Sequence, residues 1–341
     1  SFKSMKKIVK ISYFFIILFF PFINILSLDY NTKIVIFCYH RFDLKGNKYS
    51  VKTKTFKRHI EKALNKGFNI ITEKELFDFY YNDYKLPPLN LLITIDDGFK
   101  ESYNVTLEVL KEYKIKSLIL INPEMIDNKE FLSWKNLIKL YKRGISFGNH
   151  SANHFNYHSY LNKKENTIYN LLKKEIIDSD KITEKKIGSI SISYAHPYGI
   201  FDQLIMNIVK DKYKLVYTTN KGPNVFETDP LYLRRYVIDG EPDIEKYLDY
   251  ELLPIIKTEP ENGGYLNKNK EISFYFENEK ELNRFKNFYF MIGKKKLTPI
   301  INENRVYFKA TKVKARTFDI SLLAEDNYGK EYIETITVNN N

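Results

Sequence analysis

Three short clusters hold the residues that could do chemistry. Asp96 and Asp97 close the apolar run Leu91-Leu92-Ile93-Thr94-Ile95 and are followed by Gly98. Carboxylates at the end of a buried run are costly unless a cation or hydrogen-bond donors meet them. Downstream, His150-Ser151-Ala152-Asn153-His154 sets two imidazoles four residues apart. That spacing puts both on one face of a helical turn and suits chelation of zinc. Ser151 stands where the helical zinc-protease pattern needs Glu, so a carboxylate must arrive from elsewhere, and Asp97 is the obvious donor. The third cluster is Tyr194-Ala195-His196-Pro197-Tyr198-Gly199, in which Pro-Tyr-Gly fixes a sharp turn and aims Tyr198 and its N–H at the strand-end face. Taken singly, each cluster reads more readily as a turn, or as surface or packing histidines. Their chemistry depends on being brought together.

The elements around them alternate two periods. Ile34 to Phe37, Leu91 to Ile95, Ser117 to Ile121, Ile145 to Phe147, Ile190 to Tyr194 and Lys214 to Thr218 read as short, nearly continuous apolar strands. Between them, 55–66, 101–113, 133–143, 163–177 and 202–211 carry helical spacing, with Ser133 as a cap and Gly67 and Gly144 as stops. Repeated strand–helix units imply a mostly parallel sheet covered by helices, and their number favours a barrel, whose catalytic groups gather at strand C-termini. Near Pro254 to Gly264 the pattern breaks. Beyond it, Ile272 to Phe276, Phe288 to Ile292, Arg305 to Ala310, Phe318 to Ala324 and Tyr332 to Val338 predict a small antiparallel sandwich, with Asp326-Asn327-Tyr328-Gly329 as its last hairpin turn. No chemistry is legible in that tail.

In this order the three clusters resemble the motifs of the polysaccharide deacetylase family (NodB homology domain, carbohydrate esterase family 4): Thr-Phe-Asp-Asp-Gly, His-Ser/Thr-x-x-His and Arg-x-Pro-Tyr. The resemblance covers roughly residues 33 to 240. It implies a distorted (β/α) barrel, with Asp96 as general base and Asp97, His150 and His154 as ligands of a divalent ion, zinc or another transition metal. It also implies hydrolysis of acetyl groups from N-acetylglucosamine units of a polysaccharide, the polymer left open. Two departures stand out. The family's third-motif Arg falls on Ala195, which leaves Arg235, in Leu233-Arg234-Arg235-Tyr236, as the group that could orient the base from a later strand. The family's last motif, which supplies the acid, has no counterpart after His196. Some exported members look circularly permuted, with that His in a Tyr-His pair on the first strand, and Cys38-Tyr39-His40-Arg41-Phe42 matches them.

On this reading His40 is the general acid, since an imidazole titrates near neutrality and a first strand opens onto the same face as the others. His59, between Lys57, Arg58 and Glu61, reads as solvent-facing; His158 sits in a polar loop; His196 is the second-choice acid. Tyr198 N–H is expected to face the oxyanion. Trp134, at a helix start, and Cys38, among apolar neighbours, are expected to pack in the core.

Composition narrows the rest. The 341-residue chain has one cysteine, which excludes a disulfide scaffold and any Cys-cluster zinc or iron–sulfur site. Fifty-four Lys and Arg against 42 Asp and Glu give a formal charge of +12, but with no arginine-rich stretch interleaved with aromatics, so nucleic acid is not expected. Met5 to Lys10 is basic and Ile11 to Leu28 almost wholly apolar, the pattern of an export signal or an uncleaved membrane anchor. The predicted organisation is therefore a signal or anchor over 1–28, a deacetylase-like domain over 29–255 and an immunoglobulin-like sandwich over 256–341, in an exported protein. A non-catalytic carbohydrate binder on the same barrel is the alternative, consistent with the missing Arg.

Overall fold

The computed structural model describes residues 32–42, 49–161 and 163–340. The segment read as signal or anchor lies outside them, and among the described residues no helix is long and apolar enough to cross a membrane. In chain order, β1 (Lys33–Tyr39) leads to α1 (Thr53–Asn65), β2 (Asn69–Ile71), α2 (Glu73–Tyr81), β3 (Leu89–Asp97), α3 (Ser102–Tyr113), β4 (Leu118–Ile121), α4 (Trp134–Tyr141) and β5 (Ser146–Asn149). Then come α5 (Glu165–Lys173), α6 (Ser179–Ile187), β6 (Ser193–Ala195), α7 (Gln203–Val209), β7 (Leu215–Tyr217) and β8 (Tyr236–Val237). All strand pairs are parallel in the order β7-β6-β5-β4-β3-β1-β8, with β2 also on β3. Tyr217 bridges Leu233 in parallel just before β8, which joins the two ends of that order. The result is a parallel half-barrel sheet with helices, the parallel strand–helix arrangement that the alternation predicts.

Local sequence explains the framework. Every residue of β1 and all but the first of β3 are buried, because a parallel strand is covered on both faces. On α1, Phe56, Ile60 and Ala63 face inward at helical spacing. Ser133 caps α4 and Asn136 returns to the Ser133 N–H, a reciprocal cap. Trp134 is buried in the core, as expected. Two elements escaped the periodicity. β2 is only three residues long, and the inward-facing Leu76 and Phe79 of α2 are masked by a run of aromatics, although Thr72-x-x-Glu75 is a legible capping box. The helix expected over 163–177 is α5 followed by a single π turn, Lys174–Asp178, which runs into α6.

Strand pairs in the C-terminal part are antiparallel except where Glu251 and Leu252 pair with Tyr332 and Ile333. After the short helix α8 (Glu245–Asp249) come β9 (Glu251–Leu252), β10 (Ile255–Glu259), β11 (Glu271–Phe276), α9 (Glu279–Leu282), β12 (Phe285–Ile292), β13 (Lys295–Leu297) and β14 (Ile300–Asn302). β15 (Arg305–Lys309), β16 (Thr317–Asp326) and β17 (Glu331–Asn339) complete it. Two sheets, β10-β11-β15-β14 and β13-β12-β16-β17-β9, share a core of Phe274, Phe276, Phe290, Ile320, Leu322 and Val338. Asp326 turns the last hairpin by accepting from the Tyr328 and Lys330 N–H groups. β9 precedes the break in composition yet pairs with β17, and Leu323 and Ile333 pack into the barrel's own core cluster. The two parts are therefore stitched together across the compositional boundary.

Candidate active site

The three sequence clusters meet at one end of the barrel, at the C-termini of β3, β5 and β6. Asp97 Oδ1 lies 3.5 Å from His150 Nε2 and 3.4 Å from His154 Nε2. A tetrahedral ion with bonds of about 2.0–2.1 Å holds its donor atoms roughly 3.4 Å apart, so the spacing fits. Asp97 Oδ1 is also buried and has no hydrogen-bond partner, which is costly in a protein alone and expected of a ligand atom. His150 Nδ1 sits 2.9 Å from the Ala195 carbonyl, so it carries the proton and leaves Nε2 as a lone-pair donor. Burial lowers both imidazoles, His150 to about 3, which keeps them neutral and able to bind a cation. The same burial raises Asp97 to about 6, with Asp96 adding and His40 opposing. The residues present fit a divalent ion.

The backbone of this cluster is not the helical turn that the His spacing suggested. Residues 150–154 form a loop, with Ser151 at φ 66° and His154 at φ 61°, and Ser151 Oγ accepts from the His154 N–H at 3.0 Å. The two imidazoles converge through this tight loop, their ring centroids 4.9 Å apart. Asn122, just past β4, donates to the His150 and Ser151 carbonyls. Asp97 and Tyr198 also have positive φ, 70° and 59°. Left-handed backbone at four non-glycine residues of one site is strain held by its surroundings, and such strain gathers where geometry serves function.

Asp96 is handled differently from its neighbour. Arg235, 1% exposed, donates to both its oxygens, from Nη1 at 2.7 Å and Nη2 at 2.9 Å. Arg235 is fixed in turn by Thr94 Oγ1 and the Thr218 carbonyl. Burial alone would raise the Asp96 carboxyl, but the guanidinium outweighs it, with His150 and His40 helping, and holds it well below the usual carboxylate range. Two adjacent carboxylates thus have opposite environments, one locked as an anion and one left with an orphaned oxygen. Arg235, expected only as a group that could reach in from a later strand, is the guanidinium that Ala195 lacks. The Ala195 contribution is its carbonyl.

His40 stands at the end of β1, half-buried, its Nδ1 4.0 Å from Cys38 Sγ; Cys38, His40 and Asp96 offer ligand-type atoms within 4.8 Å of one another. The Tyr49 ring lies 5.3 Å from His40 and the exposed Tyr198 ring 4.4 Å from His154. Cys38 is buried as expected, but beside the site and not in plain core. His59 is a correction: it is 1% exposed, with Nδ1 3.1 Å from Tyr39 Oη and Nε2 3.3 Å from the Pro242 carbonyl. Charged neighbours in sequence hid it, because they flank the inward face of α1. His196 is buried with both nitrogens unpartnered, stacked on Phe201, and faces the interior behind the site. His158, read as a loop residue, reaches Thr317. Sequence reasoning missed Asn122, Thr94 and the Ala195 carbonyl. Asn122 and Ala195 had only position as a signal, one residue past and at a strand end, and Thr94 lies within β3, three residues before its end.

A carboxylate held as an anion beside a cation-capable acid–His–His cluster and a half-buried imidazole is chemically equipped to add water to a carbonyl. Over part of its length the chain is similar to polysaccharide deacetylases: residues 84–215 match the family model "Polysaccharide deacetylase". YxkH of Bacillus subtilis (strain 168), which bears a polysaccharide deacetylase name, is 25% identical over 191 residues. That alignment covers 56% of this chain and 66% of the relative. Among solved structures, the Streptococcus pyogenes deacetylase PplD in complex with acetate shares the fold at TM-score 0.53 and 23% identity, over 60% of this chain and 91% of that one. IcaB from Ammonifex degensii does so at TM-score 0.57 and 19% identity, over 63% and 94%.

Proposed function

We propose that this protein removes acetyl groups from N-acetylglucosamine units of an extracellular or cell-wall polysaccharide, with zinc in the Asp97–His150–His154 cluster. The observation that carries this reading is the pairing of the orphaned Asp97 Oδ1 and two neutral imidazoles with an Arg235-held Asp96. When bound there, a divalent ion supplies Lewis-acid polarisation of the acetamide carbonyl and a more acidic water. The chain's own groups do the proton work. Asp96 takes a proton from the attacking water; Arg235 occupies one direction on each of its oxygens and leaves further lone pairs free. His40 gives a proton to the nitrogen as the carbon–nitrogen bond breaks, so that the amine and not its anion departs. Tyr198 N–H is assigned to the developing oxyanion. We read the C-terminal sheets as an immunoglobulin-like accessory module, and residues 1–28 as the export signal or anchor that would bring the enzyme to such a polymer.

The alternative of a non-catalytic carbohydrate binder drew on the missing third-motif Arg and the displaced acid, and Arg235 on Asp96 supports the catalytic reading on the first of these. The test is acetate release from N-acetylglucosamine oligomers by the zinc-supplied full chain. Turnover that disappears in His150→Ala, together with zinc binding near one per chain in the parent protein, is the expected result. Full turnover by metal-free protein, or by His150→Ala, would overturn the reading.

A further inference from the structure

The last strand of the chain reaches two segments that build the site. Asn339, at the end of β17, is 95% buried, and its backbone is fixed by pairing with Thr317 and by exchange with Gly264 and Leu266. Its side-chain amide donates to the Phe201 carbonyl at 3.0 Å and to the Gly263 carbonyl at 2.6 Å. Its oxygen accepts from Thr317 Oγ1 at 2.6 Å. A threonine hydroxyl has one hydrogen, so His158 Nε2, 2.9 Å from the same oxygen, must be the donor to it. One chain of hydrogen bonds thus runs from His158, four residues after His154, through Thr317 and Asn339 to Phe201, three residues after Tyr198.

A second tie runs beside it. Asp202 Oδ2 accepts from Tyr157 Oη at 2.6 Å and from Tyr265 Oη at 2.9 Å, while Oδ1 caps α7 through the Ile205 N–H. Gly263, at φ +82°, lies so close to the Phe201 ring that a Cβ there would come within 2.6 Å of it. Phe201 in turn stacks on His196 at 4.8 Å, next to the Ala195 carbonyl that orients His150. The loop between Ala195 and Asp202 also holds Tyr198 in left-handed backbone, a geometry that needs support from outside the loop.

We propose that Asn339 and Tyr265, far from the barrel in sequence, are positioning residues for the deacetylation site. They clamp the segments after His154 and after Tyr198 to the C-terminal sheets. Neither touches the reacting atoms; they act through Phe201, Asp202 and His158. The proposal rests on the deacetylase reading for its rate, and not for its geometry.

The test uses the full chain with Asn339→Asp, which keeps shape and the acceptor for Thr317 but loses the donors, and Tyr265→Phe. Rates on N-acetylglucosamine oligomers are measured with zinc, and hydrogen–deuterium exchange is followed over 154–160 and 196–202. Expected in Asn339→Asp are a kcat lower by about tenfold with KM within about twofold, and faster exchange in both segments but not in β1 or β3. Tyr265→Phe should change both readouts in the same direction. If Asn339→Asp does not fold, Tyr265→Phe carries the test. Faster exchange with a parent protein inactive on every acetylated sugar would leave the clamp standing and remove the deacetylase reading. Unchanged kcat and unchanged exchange, or a lower melting temperature with both unchanged, would overturn the proposal.

Discussion

Asp96 and Asp97 are chemically identical neighbours on one strand, and the partners that meet each one separate their roles. The bidentate Arg235 contact holds Asp96 as the anion in the resting site, whereas Asp97 turns an unpartnered oxygen toward two imidazoles. Asp96→Asn should therefore keep zinc while lowering acetate release by at least about a hundredfold, since general-base loss alone is worth that much. It also leaves the buried Arg235 facing a neutral amide, and stability should fall by about 3 kcal/mol. Zinc titration and urea unfolding on one preparation read both effects. Loss of zinc with activity would mean that the two aspartates exchange roles.

Among the elements, α2 brings a titratable group into the barrel wall away from the site. Glu73, its first residue, is buried against Ser193 and Ser146 with no cation beside it, and burial pushes its carboxyl up to about 7. Below pH ~4.5 folded and unfolded chains both carry the proton, and this group's contribution is fully present. As pH rises toward 7 the unfolded chain releases the proton while the folded one keeps it, so stability is lost, about 3 kcal/mol once pH passes the folded value. Glu73→Gln should match the parent near pH 4.5 and exceed it by up to that amount at pH 8, read as denaturation midpoints. Equal midpoints at pH 8 would show that burial does not raise the Glu73 carboxyl in the fold.

At the scale of the molecule, the tail holds no acid or imidazole of the site, which by itself argues that it is dispensable. The contacts argue otherwise. Arg234 pairs bidentately with Glu334, Asn220 bonds Thr337 Oγ1, and β9 is an edge strand of β17. Ending the chain before Ile256 would strip apolar cover from the barrel and leave these polar groups without partners. The truncated chain is expected to aggregate or melt at least about 10 °C lower, with little activity, in size-exclusion and circular dichroism measurements. A soluble truncation with parental turnover would show that the two parts fold independently.

Most of the barrel was legible because a parallel strand is apolar along its length and a helix beside it repeats every 3.6 residues; both are local facts about a sequence. Asp97, His150 and His154 could be picked out as candidates because their spacing and order match a known set. What the linear pattern could not carry was partnership between distant residues. Arg235 stands 139 positions from Asp96, and only the closing of the barrel through Leu233 puts its guanidinium on that carboxylate. His59 looked exposed because its neighbours in sequence are charged, although its own face of α1 turns inward. Asn339 had no sequence signal at all, since an asparagine at a chain's last strand acquires meaning only from the carbonyls that the packed sheets place within 3.0 Å of it. Local periodicity determined the elements and the motif residues; desolvation and long-range hydrogen bonding, which exist only after packing, decided which residue holds which.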